Sequence, residues 1–125
     1  MEQTTKFSRI ISGAMTWGSW GKKLSKNEMI ELMHHSIECG LTTFDHADIY
    51  TFGKAEIAFG EALKAAPSLR DNMIIQSKCA IRFDDDLGPK RYDFSANHIH
   101  NSVEGILTRL GIEQLDTLLL HRPDP

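Results

Sequence analysis

The sequence has 125 residues, 41% of them hydrophobic and 25% charged, an ordinary globular balance with room for one domain. Lys and Arg number 14 against 17 Asp and Glu, and the formal charge of -3 excludes a broad cationic field for nucleic acid or an anionic membrane. Cys39 and Cys79 lack disulfide or metal spacing, no apolar run approaches the roughly 20 residues of a membrane span, and no basic-flanked signal segment opens the chain. A cytoplasmic protein that acts on a small molecule is expected.

In chain order, Arg9, Ile10, Ile11, Ser12 and Gly13 form a β-branched run ending at glycine, which predicts a first strand followed by a Trp- and Gly-rich loop, residues 15–21. Ser25, Lys26, Asn27 and Glu28 make a capping box, so a helix begins there. Met29, Leu32, Met33 and Ile37 give it an apolar stripe, and Gly40 tolerates a left-handed C-terminal turn. Leu41, Thr42, Thr43 and Phe44 predict a second strand with Asp45 at its end. Residues 54–66 are alanine-rich and predict a helix that Pro67 stops. Residues 73–77 predict a third strand ending at Lys78, followed by a long polar connection from about Cys79 to Phe94. Ser95 then caps a third helix with a stripe of Ile99, Val103, Ile106, Leu107 and Leu110, closed by Gly111. Residues 115–120 predict a buried fourth strand with His121 at its end and Pro123 and Pro125 blocking continuation.

The order β-α-β-α-β-α-β calls for right-handed crossovers and a parallel sheet, an arrangement that open doubly wound sheets and barrels share. No G-x-G-x-x-G fingerprint spans residues 13–21, and Gly53-Lys54 is followed by Ala55 where a phosphate-binding loop needs Ser or Thr. In parallel α/β folds chemistry gathers beyond the carboxyl ends of strands. Asp45, Lys78 and His121 each sit at such an end, and Tyr50 lies in the loop after the second. Three successive strands thus deliver a polar or charged group to one rim.

These residues sit in segments that resemble the aldo-keto reductases: Phe44-Asp45-His46-Ala47-Asp48-Ile49-Tyr50 with Gly53, Glu56 and Gly60 downstream, Ser77-Lys78, and Leu118-Leu119-Leu120-His121. Gly13-Ala14-Met15-Thr16-Trp17-Gly18 is similar to the family's first loop. The resemblance runs from Phe7 onward. It departs where His46 replaces the usual Thr and where Thr51-Phe52 separates Tyr50 from Gly53. It implies the N-terminal half of a (β/α)8 TIM barrel, strands one to four, and NADPH as cofactor, with NADH as the alternative. It further implies reduction of aldehyde or ketone carbonyls to alcohols. Asp45, Tyr50, Lys78 and His121 are then the catalytic group. Met15, Thr16, Trp17 and Asp45 border the cofactor, while Trp17, Trp20, Tyr50 and His121 line the substrate pocket.

Hydride transfer to a carbonyl leaves negative charge on its oxygen, so a proton donor must be in reach. Tyr50 is assigned that role. A tyrosine in water holds its proton to about pH 10, and a nearby ammonium, Lys78, favours its release. Asp45 keeps that lysine charged and in place, and His121 orients the carbonyl. The plainer alternatives are a strand-end salt bridge for Asp45 and Lys78, and a core-boundary residue for Tyr50. Asp45, His46 and Asp48 imitate a metal site, yet neighbours on a strand point to opposite faces, so no metal is expected. Cys79 is expected to be a buried thiol, or one that the adjacent Lys78 cation makes reactive, and Asp84, Asp85 and Asp86 a solvated acidic tip or a flap beside the substrate.

A TIM barrel takes about 250 residues and eight strands, so residues 1–125 are expected to form one partial domain without the C-terminal half, inactive alone. Exposed half-barrel edges are expected to favour self-association. Other readings are a non-enzymatic half-barrel, a redox-sensing regulatory subunit that acts by association, and a metal-dependent barrel hydrolase.

Overall fold

The computed structural model describes residues 6–122. Its strands in chain order are β1 (Ile11–Gly13), β2 (Thr43–Asp45), β3 (Ile74–Cys79), β4 (Ile81–Arg82), β5 (Arg91–Tyr92) and β6 (Thr117–Leu120). The first three and β6 make a parallel sheet in the order β1-β2-β3-β6. Helices α1 (Lys26–Glu38), α2 (Lys54–Ala65) and α3 (Ala96–Leu110) provide the three crossovers between them. Spatial order in that sheet follows chain order, so each crossover advances by one strand.

Local chemistry accounts for the helix ends. Ser25 and Glu28 form the reciprocal capping box, with the Glu28 amide donating to Ser25 Oγ at 3.2 Å and the Ser25 amide to Glu28 Oε2 at 2.7 Å. Ser95 caps α3 by accepting from the His98 amide. Gly40 and Gly111, at φ of 81° and 66°, let the chain turn left-handed after α1 and α3. One glycine serves contact instead: a Cβ on Gly60 would overlap the Arg109 carbonyl oxygen, so α2 meets the end of α3 backbone to backbone.

The core lies between the helices and one face of the sheet, where Phe44 and Ile75 from the strands meet Met33, Phe59, Ile106 and Leu110 from the helices. Strand alternation then fixes the opposite face. With Phe44, Ile75 and Cys79 turned to the helices, Asp45, Gln76 and Lys78 share the other side. The same register pairs Lys78 with Leu119 and carries His121 to that side.

Several sequence expectations need correction. The connection from Cys79 to Phe94 contains an antiparallel hairpin of β4 with β5. Ion pairs hold it: Arg82 to Asp85 and Asp93, and Arg91 to Asp85. The acidic tip is therefore not simply solvated, since Asp85 is tied into the hairpin. Pro67 ends α2 but also opens a 3-10 helix, Pro67–Asn72, because its fixed φ suits a first helical position. Lys78 lies within β3, one residue before its end. The fourth parallel strand, β6, is an edge among the described residues, and Leu119 and Leu120 are exposed there, as the expectation of open half-barrel edges has it. Pro123 and Pro125 lie outside the described residues. No described helix is long and apolar enough to cross a membrane.

Candidate active site

Asp45 is the last residue of β2, and the chain beyond it stays in register with β3. The His46 amide donates to the Gln76 carbonyl at 2.8 Å and the Asp48 amide to the Lys78 carbonyl at 3.1 Å. A 3-10 turn, Tyr50–Gly53, then brings Tyr50 back toward β3. The Lys78 ammonium sits at the focus. Its Nζ donates to Asp45 Oδ1 and Oδ2 at 2.9 and 2.7 Å, to the His46 carbonyl at 2.7 Å and to Tyr50 Oη at 3.0 Å. Gln76 Nε2 also donates to Asp45 Oδ1 at 2.7 Å, a second hold on the carboxylate.

The pair is only partly wet, with side-chain exposures of 13% for Lys78 and 20% for Asp45. Such an ion pair persists where hydrogen bonds to neighbouring groups supplement the attraction of the two charges. His121 closes the group. Its amide donates to the Cys79 carbonyl at 2.8 Å, extending the β3 ladder, and its ring stands edge to face with Tyr50 at 6.2 Å. Burial, then the positive charges of Lys78 and Arg122, holds the His121 imidazole below its ordinary value and favours the neutral ring. Its Nδ1 is buried with no hydrogen-bond partner among the described residues.

The fold thus brings Asp45, Tyr50, Lys78 and His121 into one group, and it separates the residues of the first loop. Met15 and Thr16 are exposed just beyond β1, next to this group, since the Ala14 amide donates to the Asp45 carbonyl at 3.0 Å. Trp17 instead enters the core, 6.0 Å from both Phe44 and Phe59, so it anchors the loop rather than facing outward. Trp20 is exposed and meets Phe52. Among the described residues no group of three or more His, Cys, Asp or Glu side chains could hold a metal ion.

Other residues surround the site, some of them named from the sequence in other roles and two, Gln76 and Arg109, not singled out. His46 is fully buried with its ring 4.2 Å from Phe59, and neither ring nitrogen has a partner among the described residues. Burial pushes its imidazole down to about 3, so it stays neutral at ordinary pH. Glu56 on α2 is buried too. It accepts from Ser77 Oγ on β3 and from Arg109 Nε on α3, both at 2.9 Å, joining two helices to the residue before Lys78. Burial, then the nearby Glu56 charge, raises the Asp48 carboxyl from 3.8 to about 6. Gln76 was within reach of sequence reasoning, standing two residues before Lys78 on the same strand face. Arg109 was not, because its use depends on how α3 crosses α2. Burial raises the Cys79 thiol to about 11, as expected of an inert interior cysteine.

The sequence model of the Aldo/keto reductase family matches residues 9–125. The chain belongs to that family. It is 41% identical over 127 aligned residues to the oxidoreductase YdhF of Escherichia coli, covering 98% of this chain and 41% of that protein. Over 95 residues it is 47% identical to a 6-dehydroglucose reductase of Agrobacterium fabrum, covering 69% of this chain and 30% of that one. Among solved structures, an aldo-keto reductase of Klebsiella pneumoniae in complex with NADPH superposes with a TM-score of 0.64 at 28% identity, covering 92% of this chain and 36% of that chain. This aldo/keto reductase sequence therefore spans about two fifths of relatives such as YdhF, and its parallel α/β unit is a partial TIM barrel.

Proposed function

We propose that this chain supplies the acid–base side of an NADPH-dependent reduction of aldehyde or ketone carbonyls to alcohols. The observation that carries the reading is the single ammonium of Lys78 bonded at once to the Asp45 carboxylate and to Tyr50 Oη. Bound NADPH supplies the hydride that goes to the carbonyl carbon. Tyr50 gives its phenolic proton to the carbonyl oxygen, and Lys78 at 3.0 Å stabilises the charge then left on the phenol oxygen. Asp45, fixed by Gln76, holds the ammonium on target. His121, neutral and against the Tyr50 ring, orients the carbonyl for transfer.

The residues present fit the nicotinamide end of the cofactor. Exposed Met15 and Thr16 beside Asp45 offer a rim surface against which a flat ring can lie, while buried Trp17 holds that surface rigid. Small carbonyl compounds are the proposed substrates, and the cytoplasm is the proposed site of action. Residues 1–125 by themselves are expected to bind NADPH weakly, because they span about two fifths of relatives such as YdhF, and their strand edges are expected to favour self-association.

The test is NADPH consumption, followed by absorbance with an aldehyde panel, for the protein expressed from its complete reading frame. NADH run in parallel separates the two cofactors. Turnover is expected, and its absence across the panel would remove the reductase reading. Fluorescence titration of the 125 residues alone checks the second claim; tight NADPH binding there would contradict it.

A further inference from the structure

Asp45 and Gln76 are directly opposed in the parallel pairing of β2 with β3, and Lys78 follows two residues along β3 on the same face. The register thus sets one carboxylate against two donors of a single strand. Gln76 Nε2 reaches Asp45 Oδ1 at 2.7 Å, while Lys78 Nζ reaches Oδ1 at 2.9 Å and Oδ2 at 2.7 Å. A carboxylate only accepts hydrogen bonds, so the Gln76 amide turns its NH2 group, not its oxygen, to Asp45.

An ammonium has three hydrogens, and each has an acceptor here. One serves the Asp45 carboxylate, one the His46 carbonyl at 2.7 Å and one Tyr50 Oη at 3.0 Å. The phenol contact is the longest of the four that Nζ makes, and a hydroxyl attracts a cation less than a carboxylate does. Wherever the Asp45 carboxylate turns, the ammonium therefore follows it and gives up Tyr50 first.

A carboxylate rotates broadly about its last side-chain bond, and a lysine stem is flexible enough to follow it. Lys78 alone cannot fix the plane of Asp45, because the two move together. Gln76 can. Its backbone is paired on both sides, accepting the His46 amide at 2.8 Å and facing Thr117 of β6. The bond from the His46 amide also steadies the residue whose carbonyl takes the second ammonium hydrogen. Both anchors that hold Nζ in front of Tyr50 are thus tied to one residue. A donor on Oδ1 also draws on negative charge that would otherwise fall on the ammonium, which leaves more of the positive field at Tyr50.

Resting on the carbonyl-reductase reading, we propose that Gln76 is a positioning residue for the proton transfer. It fixes the plane of the Asp45 carboxylate, and through it the Lys78 ammonium, so that the third ammonium hydrogen stays on Tyr50 Oη. Gln76 touches no reacting atom and acts through Asp45.

The experiment measures the single-turnover rate of aldehyde reduction with NADPH, and the aldehyde concentration at half its maximum. It uses the protein from its complete reading frame, Gln76→Leu, Gln76→Glu, Asp45→Asn and the double variant of Gln76→Leu with Asp45→Asn. Gln76→Leu keeps the size and removes the donor, so the rate is expected to fall about ten- to a hundredfold while the half-saturating concentration changes by less than about twofold. In the Asp45→Asn background the same substitution should change the rate by less than about twofold, because the carboxylate through which Gln76 acts is gone. Gln76→Glu should be slow at about pH 8 and recover toward the parent rate at about pH 5, where the protonated carboxyl again donates to Asp45. A Gln76→Leu rate close to the parent's, or an equal loss in the Asp45→Asn background, overturns the proposal and leaves the reductase reading intact. Should Gln76→Leu not fold, Gln76→Glu decides: a parent-like rate at the higher pH, or a deficit unchanged at the lower, overturns it. Failure of the unaltered protein to reduce the aldehyde overturns the reductase reading, and the role of Gln76 with it.

Discussion

Lys78 is a cation drawn largely out of water, and its charge is met there by Asp45, the His46 carbonyl and Tyr50. In the proposed reduction, Lys78→Met removes the group that would steady the phenol oxygen after its proton leaves. Aldehyde reduction should then slow by about two to four orders of magnitude in steady-state assays, as for loss of a positioned acid–base partner. Asp48 behaves in the opposite sense to most surface carboxylates. Its folded value is raised to about 6, so the folded state holds a proton that the unfolded state releases from about 4 upward. Its contribution to stability is thus full below about pH 4 and lost as pH rises through about 6. Asp48→Asn should gain on the order of 1 kcal/mol over the parent at pH 7, after allowance for solvent screening, and lose that advantage toward pH 4 in urea denaturation. His46 carries the converse effect: its folded value near 3 makes the fold lose stability as pH falls below the ordinary imidazole range. The four polar types on one rim were legible in the sequence, because strand alternation and strand ends are legible. The inward turn of Trp17 was not, since a loop residue has no period to betray its direction.

At the scale of elements, the helices were the most readable parts. Their signals are local: a capping box at Ser25, a capping serine at Ser95 and a glycine just past each of α1 and α3. Ser25→Ala should cost about 1 kcal/mol in denaturant unfolding, the usual value of a lost N-cap. Gly60→Ala tests a longer-range dependence. A methyl group there collides with backbone atoms of Arg109 and Leu110, which cannot rotate away as a side chain would. The substitution should cost about 1–3 kcal/mol despite the better helix propensity of alanine, and a stabilised variant would contradict the close crossing of α2 and α3. The β4–β5 hairpin escaped the sequence because two-residue strands show no alternation. Its stability comes from Arg82, Arg91, Asp85 and Asp93, whose pairing depends on the turn between them.

In the molecule as a whole, the sheet presents two chemically different faces. One is sealed by three helices, and Glu56 ties α2, α3 and β3 together from within that layer. Arg109→Met should therefore loosen the fold by about 3–5 kcal/mol, since it strands a buried carboxylate, and should shift the thermal midpoint even though Arg109 never meets the reacting group. The other face carries Asp45, Gln76 and Lys78 toward the rim. The parallel alternation was plain from sequence, whereas the extent of the barrel rests on the relatives, of which this chain spans about two fifths. What unites these scales is the claim that the helix layer holds β2 and β3 in register so that one lysine serves one phenol. Single-turnover reduction of an aldehyde by the NADPH-loaded protein tests it most directly. Tyr50→Phe should lower the rate of hydride transfer by about a thousandfold or more while NADPH affinity stays nearly the same; a Tyr50→Phe variant that still reduces the aldehyde at close to the parent rate would contradict the account.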